Sequence, residues 1–493
     1  MTEVHKPLLF SALERYGSFL FFVVSAAILA RLLSPEEYGI FALVSALTSV
    51  IVAYFQEFGG SNYLIQRPSL SEQNIRTAFT VTLLLSLSIA LVLFGLRDLA
   101  AQFFGQDGVR IGIALCALNF VLTPVPVTIS ALLRRQMAFG ALARCNLAAN
   151  FGSSLSSIVL AAAGYSFMAP ILGTIIGTLI ATTLLLMCQR NWRIFKPSLV
   201  GYRDVFEFGA YSSAVVIVNV FYQWSPQLIL GRILDFTAVG LYSRAVSITQ
   251  VFDRLVLQVV NPVIMPAIAA HARAGGDLKK AYLDAVTLVS VLHWPCLIFI
   301  ALQANHIILV WLGPTWVDIV PLVQVLCIAS LSMFAACLTY PVLVAVGRVR
   351  DTLLASLISL PPSLAVIFAA AFFGVQAVAA SALLTLPFQA LIAIYFVGRQ
   401  LSFTASDFLH AVLKSVVVTA WMVAGVLLSI LCCKYGGAGP IIGLLSGSIL
   451  AAAGWFVGLV LTRHPLLPQI RMAIRGILPL GRAGFRQLRR HSS

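Results

Sequence analysis

The sequence predicts an all-α integral membrane protein of about fourteen transmembrane helices. They form two six-helix bundles, related by a pseudo-two-fold axis along the membrane normal, followed by two more helices. Three observations carry this prediction. Of 493 residues, 60% are hydrophobic and only 10% are charged, whereas a soluble domain carries about 25% charged residues. Apolar runs of about 20 residues, each long enough to cross a bilayer as a helix, recur along the whole chain. Finally, the phrase "RLLSPEEYG" at residues 31–39 returns as "RILDFTAVG" at 232–240, so that Arg31, Leu33 and Gly39 match Arg232, Leu234 and Gly240.

Apolar runs read against polar breaks give spans near 9–33, 38–61, 78–97, 109–133, 146–165, 168–188, 205–231, 238–266, 284–304, 318–346, 352–373, 375–398, 409–432 and 440–462. An even number puts both termini on one side. Both repeated phrases fall in the first turn of a helix hairpin, and six spans separate them, so the two halves run the same way through the membrane. Parallel repeats of this kind place a substrate site between the halves. The expected units are an N-terminal bundle (1–195, spans 1–6), a C-terminal bundle (196–400, spans 7–12), two further helices (401–465) and a basic tail (466–493).

The net charge of +15 could suggest a nucleic-acid partner. The basic residues instead sit in short loops between apolar runs, where they report topology. With the N-terminus inside, 25 of the 32 lysines and arginines fall on the cytoplasmic side; Arg31, Arg97, Arg110, Arg232, Arg244 and Lys434 fall outside, and Arg254 lies within a span. The prediction is a multi-pass membrane protein with both ends cytoplasmic and no nucleic-acid partner. The N-terminus carries Glu14 and Arg15 within its apolar region and lacks a small-residue cleavage site, so it reads as a first span and not as a cleaved signal. The eight cysteines sit mostly in or beside spans without a C-x-x-C pair, which predicts free thiols behaving as small hydrophobes and no metal site. No cofactor is expected.

Polar residues inside the spans are the candidates for function. In span 8, Ser243, Ser247, Gln250, Arg254, Gln258 and Asn261 align along one helical face. Such a stripe must meet a water-filled cavity or polar partners, since burying these groups in hydrocarbon is costly. In span 7, Asn219, Gln223 and Gln227 recur every four residues, Pro226 is expected to loosen the helix, and Tyr222 and Trp224 lie close by. Amides beside aromatic rings suit carbohydrate; interhelical hydrogen bonding that glues the bundle is the alternative.

Acids within spans are few. Glu57 lies near the inner end of span 2, Glu14 and Arg15 sit at a similar level in span 1, and Asp253 adjoins Arg254. This group could bind an anionic head group through arginine, with Glu57 and Asp253 as candidates for proton or cation coupling. Interfacial anchoring by Arg15 and Glu57 is the plainer reading. His293 reads as a satisfied helix-end histidine. "GTIIG" (173–177) and "GLLSG" (443–447) permit close helix packing within the bundle. The arginine-rich tail is expected either to lie on the inner leaflet as an amphipathic helix or to be disordered.

The chain resembles the polysaccharide transporter family, the oligosaccharide-lipid flippases of the multidrug/oligosaccharidyl-lipid/polysaccharide superfamily. The likeness lies in "ARLLSPEEYGIFALV", "EFGGSNYLIQRPSLSEQNIRTAF", "ALLRRQMAFGALARCNLAANFGSSLSSIVLAAAGY" and "FEFGAYSSAVVIVNVFYQWSPQLILGRILDFTAVGLYSRAVSITQ", in that order over about residues 10–400. The resemblance implies two lobes alternating between inward- and outward-open states. It also implies a polyprenyl-diphosphate-linked oligosaccharide as cargo, moved from the cytoplasmic to the outer leaflet of a bacterial inner membrane for exopolysaccharide or O-antigen assembly. Membrane lipids, a polysaccharide polymerase and export machinery are the expected partners. A related branch, the lipid II flippases, binds diphosphate with arginines on helices 1, 2 and 8. Arg15 and Arg254 match the first and last of these, while span 2 offers Glu57 and no central arginine.

Two other functions compete. A multidrug antiporter of the same superfamily would need buried acids for cation coupling, and these are scarce here. A membrane-embedded polymerase would need an acidic residue in a sizeable outer loop; the longest outer loops expected here are about 12–14 residues. A transporter, and no enzyme, is the prediction.

Overall fold

Ser34 ends one helix and starts the next. Its backbone N–H donates to Glu37 Oε2 (2.8 Å), and its hydroxyl accepts from the Glu37 N–H (3.2 Å). This reciprocal capping box satisfies two of the donors that a helix start leaves open, with Pro35 as the first helical residue, where its missing N–H costs nothing. At the matching place in the repeat, Asp235 caps the next hairpin by accepting from the Ala238 N–H (2.7 Å). The repeated phrase is therefore a stop-and-start signal: α1 (Thr2–Leu32) turns into α2 (Pro35–Phe58), and α9 (Tyr202–Ile233) turns into α10 (Phe236–Thr249).

The computed structural model describes residues 2–58, 60–67, 69–189, 191–254, 276–437 and 439–470. Between the two hairpins run α3 (Ser61–Gln66), α4 (Glu72–Phe104), α5 (Asp107–Leu122), α6 (Pro124–Arg135), α7 (Phe139–Ala162) and α8 (Met168–Cys188). After them come α11 (Leu278–Leu302), α12 (Ala304–Trp311), α13 (Val320–Ser330), α14 (Thr339–Ala345), α15 (Val349–Ala371), α16 (Val375–Leu401), α17 (Ala405–Gly436) and α18 (Pro440–Leu461). Among the described residues eleven helices are long and apolar enough to cross a membrane. The α5–α6 pair, bent by 46°, makes a twelfth if counted as one span. Their outward surface is apolar, with Leu91 74% and Leu391 66% exposed, as a face covered by lipid would be.

The span boundaries differ from expectation in several places. Span 3 is longer: α4 begins at Glu72, capped by Ser71 through the Asn74 N–H (3.1 Å), and ends at Gly105 with φ 69°. Span 4 breaks at Thr123, where Pro124 and Pro126 start a second helix. Span 10 is divided by 3-10 turns at Leu331–Phe334 and Ala336–Leu338. The outer loops expected at about 12–14 residues are largely helical, since α4 and α5 are joined by Gly105 and Gln106 alone, and α12 and a 3-10 turn (Pro314–Ile319) occupy the next. Span 7 is occupied by α9. Span 8 is described only to Arg254, and the tail only to Ile470.

Helices α1–α8 pack largely against one another, and so do α9–α16; the broadest contact between the two groups runs along α2 against α9 and α10. Leu43, Val44, Leu230, Val239 and Ala245 are fully buried along it. Both sequence glycine pairs serve packing, as expected. A Cβ on Gly173 would lie 1.9 Å from Ser157 Oγ, so α7 and α8 approach closely. In α18, Gly443 and Gly447 make room for His306 and Gln303 of the α11–α12 corner. Trp455 donates from Nε1 to the Val291 carbonyl (2.9 Å), and Ser290 donates to Ser415 (2.8 Å), which ties the α17–α18 hairpin to α11.

A candidate cavity between the two groups of helices

The end of the molecule where α1 meets α2 and α9 meets α10, the hairpin end, is sealed. A Cβ on Gly39 would lie 1.7 Å from the Phe236 carbonyl oxygen, and one on Gly240 would lie 2.0 Å from that of Pro35. The first turns of α2 and α10 thus touch backbone to backbone. Two tryptophans add to the seal: Trp316 donates from Nε1 to the Ala30 carbonyl (2.7 Å), and Trp311 donates to that of Val23 (2.8 Å). Arg31 donates to the Val310 carbonyl (3.0 Å).

Beneath this seal lies a cavity of about 560 Å³, walled by Phe22, Tyr38, Phe41 and Ser45 from the first group, and by Gln223, Gln227, Ser247, Gln250, Asp253 and Arg254 from the second. It adjoins a chamber of about 410 Å³ where Glu14, Arg15, Ser18 and Phe19 face Arg254, with Phe22 and Arg254 common to both. The Arg254 guanidinium stands 4.2 Å from the centre of the Phe22 ring, a cation–π contact on the wall that both cavities share. Arg15 is exposed, and the neighbouring Glu14 accepts a hydrogen bond from Asn146. The structure therefore brings Arg15 and Arg254, from different groups of helices, onto one chamber.

The amide stripe of α9 divides. Gln223 is exposed and lines both the central cavity and a side chamber of about 430 Å³ within the second group. Asn219 also lines that side chamber and donates to Ser356 (3.4 Å). Gln227 is only 3% exposed, and its Oε1 has no hydrogen-bond partner among the described residues. The helix continues through Pro226. The carbonyl that proline leaves without its usual donor, that of Tyr222, accepts instead from the Ser225 hydroxyl (2.7 Å).

Span 8 is not one regular helix: α10 closes at Thr249, and winding resumes after Gln250. Ser243, Ser247, Gln250 and Arg254 nevertheless share the central cavity. Asp253 lines both the central cavity and the side chamber. Gln258 and Asn261 lie outside the described residues, as does the side chain of Glu57, which stands in the last turn of α2. His293 is no helix-end residue; it lies within α11, 4% exposed, on the wall of the side chamber, and its Nδ1 has no partner among the described residues.

Sequence reasoning missed two features. Arg244, which charge placement puts among the loop residues on the outer side, is buried in α10 against Tyr38; charge alone could not separate it from its loop neighbours. Gln389 of α16 donates to the Tyr222 hydroxyl (2.6 Å) at the back of the side chamber, a contact that no spacing within one helix reveals.

The Escherichia coli (strain K12) lipopolysaccharide biosynthesis protein WzxC is 24% identical to this chain over 313 residues, which is 63% of each; the chain thus covers less than two thirds of that relative. The Rhizobium meliloti succinoglycan biosynthesis transport protein ExoT is 25% identical over 344 residues, 69% of this chain and 68% of that protein. Among solved structures, the lipid II flippase MurJ in an inward closed conformation superposes with a TM-score of 0.71 at 11% identity, covering 92% of this chain and 98% of that one. An inward-facing multidrug resistance MATE transporter gives 0.65 at 14%, covering 79% and 98%. The fold is the one these transporters share. Apart from Phe22 and Val23, the residues named above in the seal and the central cavity fall inside residues 28–321, which match the family model described as polysaccharide biosynthesis protein, and the chain belongs to that family.

Proposed function

We propose that the chain is a flippase for polyprenyl-diphosphate-linked oligosaccharide, carrying repeat units from the cytoplasmic to the outer leaflet of a bacterial inner membrane by alternating access. The observation that carries this reading is the shared chamber of Arg15 and Arg254 at the foot of a cavity sealed at the other end. Two guanidinium groups from different groups of helices suit a diphosphate, which accepts bidentate, charge-assisted hydrogen bonds. The amides of Gln250, Gln223 and Asn219, with Tyr222 and Trp224, offer the saccharide donors, acceptors and ring faces. The named relatives in lipopolysaccharide and succinoglycan biosynthesis support the same cargo class. Asp253, and Glu57 at the end of α2, are the coupling candidates.

Residues 1–195 and 196–400 serve as the two moving bodies, with 401–465 riding on the second. Positive-inside topology makes the hairpin end the outer one, so the conformation is sealed to the outside. Units delivered by such a carrier would pass to a polymerase and export machinery.

The test is deletion in the native host. Lipid-linked repeat units confined to the inner leaflet support the flippase. Unchanged polymer with raised drug sensitivity would instead assign drug export, and units that reach the outer leaflet unpolymerised would assign a polymerase.

A further inference from the structure

Arg244 is 4% exposed. Its guanidinium carbon stands 3.7 Å from the centre of the Tyr38 ring and 5.2 Å from that of Trp316, and these two rings meet edge to face at 5.9 Å. Nε and Nη2 are buried without a hydrogen-bond partner among the described residues. None of the ion pairs among the described residues, Arg97–Asp98, Arg110–Asp98 and Lys279–Asp407, involves Arg244. Glu37, the acid next to Tyr38, is taken up by Ser34 and Ser166. Arginine does not shed its proton in proteins, so this is a buried cation held against two aromatic rings, with Nε and Nη2 unsatisfied among the described residues.

The cavity that Arg244 lines, about 380 Å³, is otherwise built by the first group of helices and is rich in hydroxyls, with Ser25, Ser153, Ser154 and Ser157 on its walls beside the Asn150 amide. It shares Phe22, Tyr38 and Phe41 with the central cavity and lies along the same side of α1 as the Arg15 chamber, with Ser18 and Phe22 common to both. Arg244 and Arg254 are ten residues apart, about 15 Å along a helix.

We propose that Arg244 is a second anion site, and that it reads an acidic group on the saccharide: a sugar carboxylate or a phosphate substituent. This deepens the flippase reading and rests on it, since it takes the cargo to be anchored by its diphosphate at Arg254, with the saccharide reaching toward the hairpin end. Packing against Tyr38 and Trp316 holds the guanidinium in place on the cavity wall, so it meets an oxyanion with little loss of side-chain freedom. The site selects for charge, because a neutral sugar leaves the buried edge unpaired. It draws the cation from one group of helices and the hydroxyls from the other, so an acidic saccharide bridges the two.

The experiment is thermal unfolding of the purified full-length chain in detergent at constant ionic strength, with D-glucuronate, D-glucose, inorganic phosphate or inorganic diphosphate as probe. A ligand that binds the folded state raises the midpoint. D-glucuronate is expected to raise it and D-glucose to leave it unchanged. Arg244→Gln should lose the glucuronate response, Arg244→Lys should keep part of it, and Arg254→Gln should keep it whole. Phosphate acting through Arg244 while glucuronate is inert supports the site and assigns the charge to a phosphate substituent. An equal rise with glucuronate and glucose in the wild type overturns the proposal even if the variants fail to fold; so does the absence of any rise with both glucuronate and phosphate, and so does an undiminished glucuronate response in Arg244→Gln. The diphosphate arm, read in an Arg244→Gln background, separates the two readings: a response that survives Arg254→Gln there counts against diphosphate anchoring at Arg254 and leaves the glucuronate result at Arg244 standing.

Discussion

Gly39 and Gly240 face each other across the molecule, each nesting into the backbone that precedes the other: Gly39 against Phe236, and Gly240 against Pro35. The contact is reciprocal because the two residues hold the same place in the repeated phrase. Any side chain at either position must push α2 and α10 apart.

Gly39→Ala and Gly240→Ala are therefore expected to weaken the seal. Overpacking of this kind costs about 1–3 kcal/mol, here borne by one conformation of the transporter. A cysteine at Ser45, in a cysteine-free background, should become more reactive toward an impermeant thiol reagent added outside. Unchanged labelling of Ser45→Cys in both glycine variants would show that the contact does not gate the cavity.

The Ser225–Tyr222 hydrogen bond predicts a rescue. Ser225→Ala leaves the partly buried Tyr222 carbonyl without the donor that replaces the missing proline N–H, at a cost of about 1 kcal/mol. The double change Ser225→Ala/Pro226→Ala returns a backbone N–H to the helix and should recover most of the loss. The unfolding midpoint in detergent reads both; equal midpoints for the single and double variants would refute the compensation.

Docking of the last two helices depends on Gly447, whose added Cβ would meet Gln303 Nε2 at 1.9 Å. Gly447→Val should lower the unfolding midpoint, and Gln303→Ala/Gly447→Val should restore it in part. An effect of Gly447→Val that is independent of residue 303 would place the strain elsewhere.

Arg254→Lys should retain partial export, because charge survives without the bidentate fork, and Arg254→Ala should abolish it in a normally inserted protein. If Arg254 served only to pair with Glu57, the double change Arg254→Ala/Glu57→Ala would recover export. Polymer yield in the native host distinguishes the two.

Topology is open to direct labelling. All eight cysteines are free and can be removed. In that background Glu36→Cys and Asp107→Cys should react with an impermeant reagent from outside, whereas Ser69→Cys and Trp192→Cys should react only after the membrane is opened. Outside reaction at position 69 would invert the assigned orientation.

By itself the sequence determined the features that rest on periodicity and on signals a few residues long. Apolar runs marked the helices, because a bilayer demands about 20 such residues whatever packs beside them. The repeated phrase, with Arg31, Leu33 and Gly39 matched by Arg232, Leu234 and Gly240, marked the hairpins, because the helix stop and start it encodes is local chemistry. Gln223, Gln250 and Arg254 stood out because polar groups within spans have few other uses. What only the tertiary structure decided depends on partners far apart in the chain. Arg31, Arg97 and Arg244 look alike as sequence, but just Arg244 is stacked on Tyr38, from 206 positions earlier, and Gln227 parts from Gln223 because the core closes over one and a cavity opens on the other. Burial of a charge is set by what packs around it, and that information is carried by the whole fold, not by any stretch of the chain.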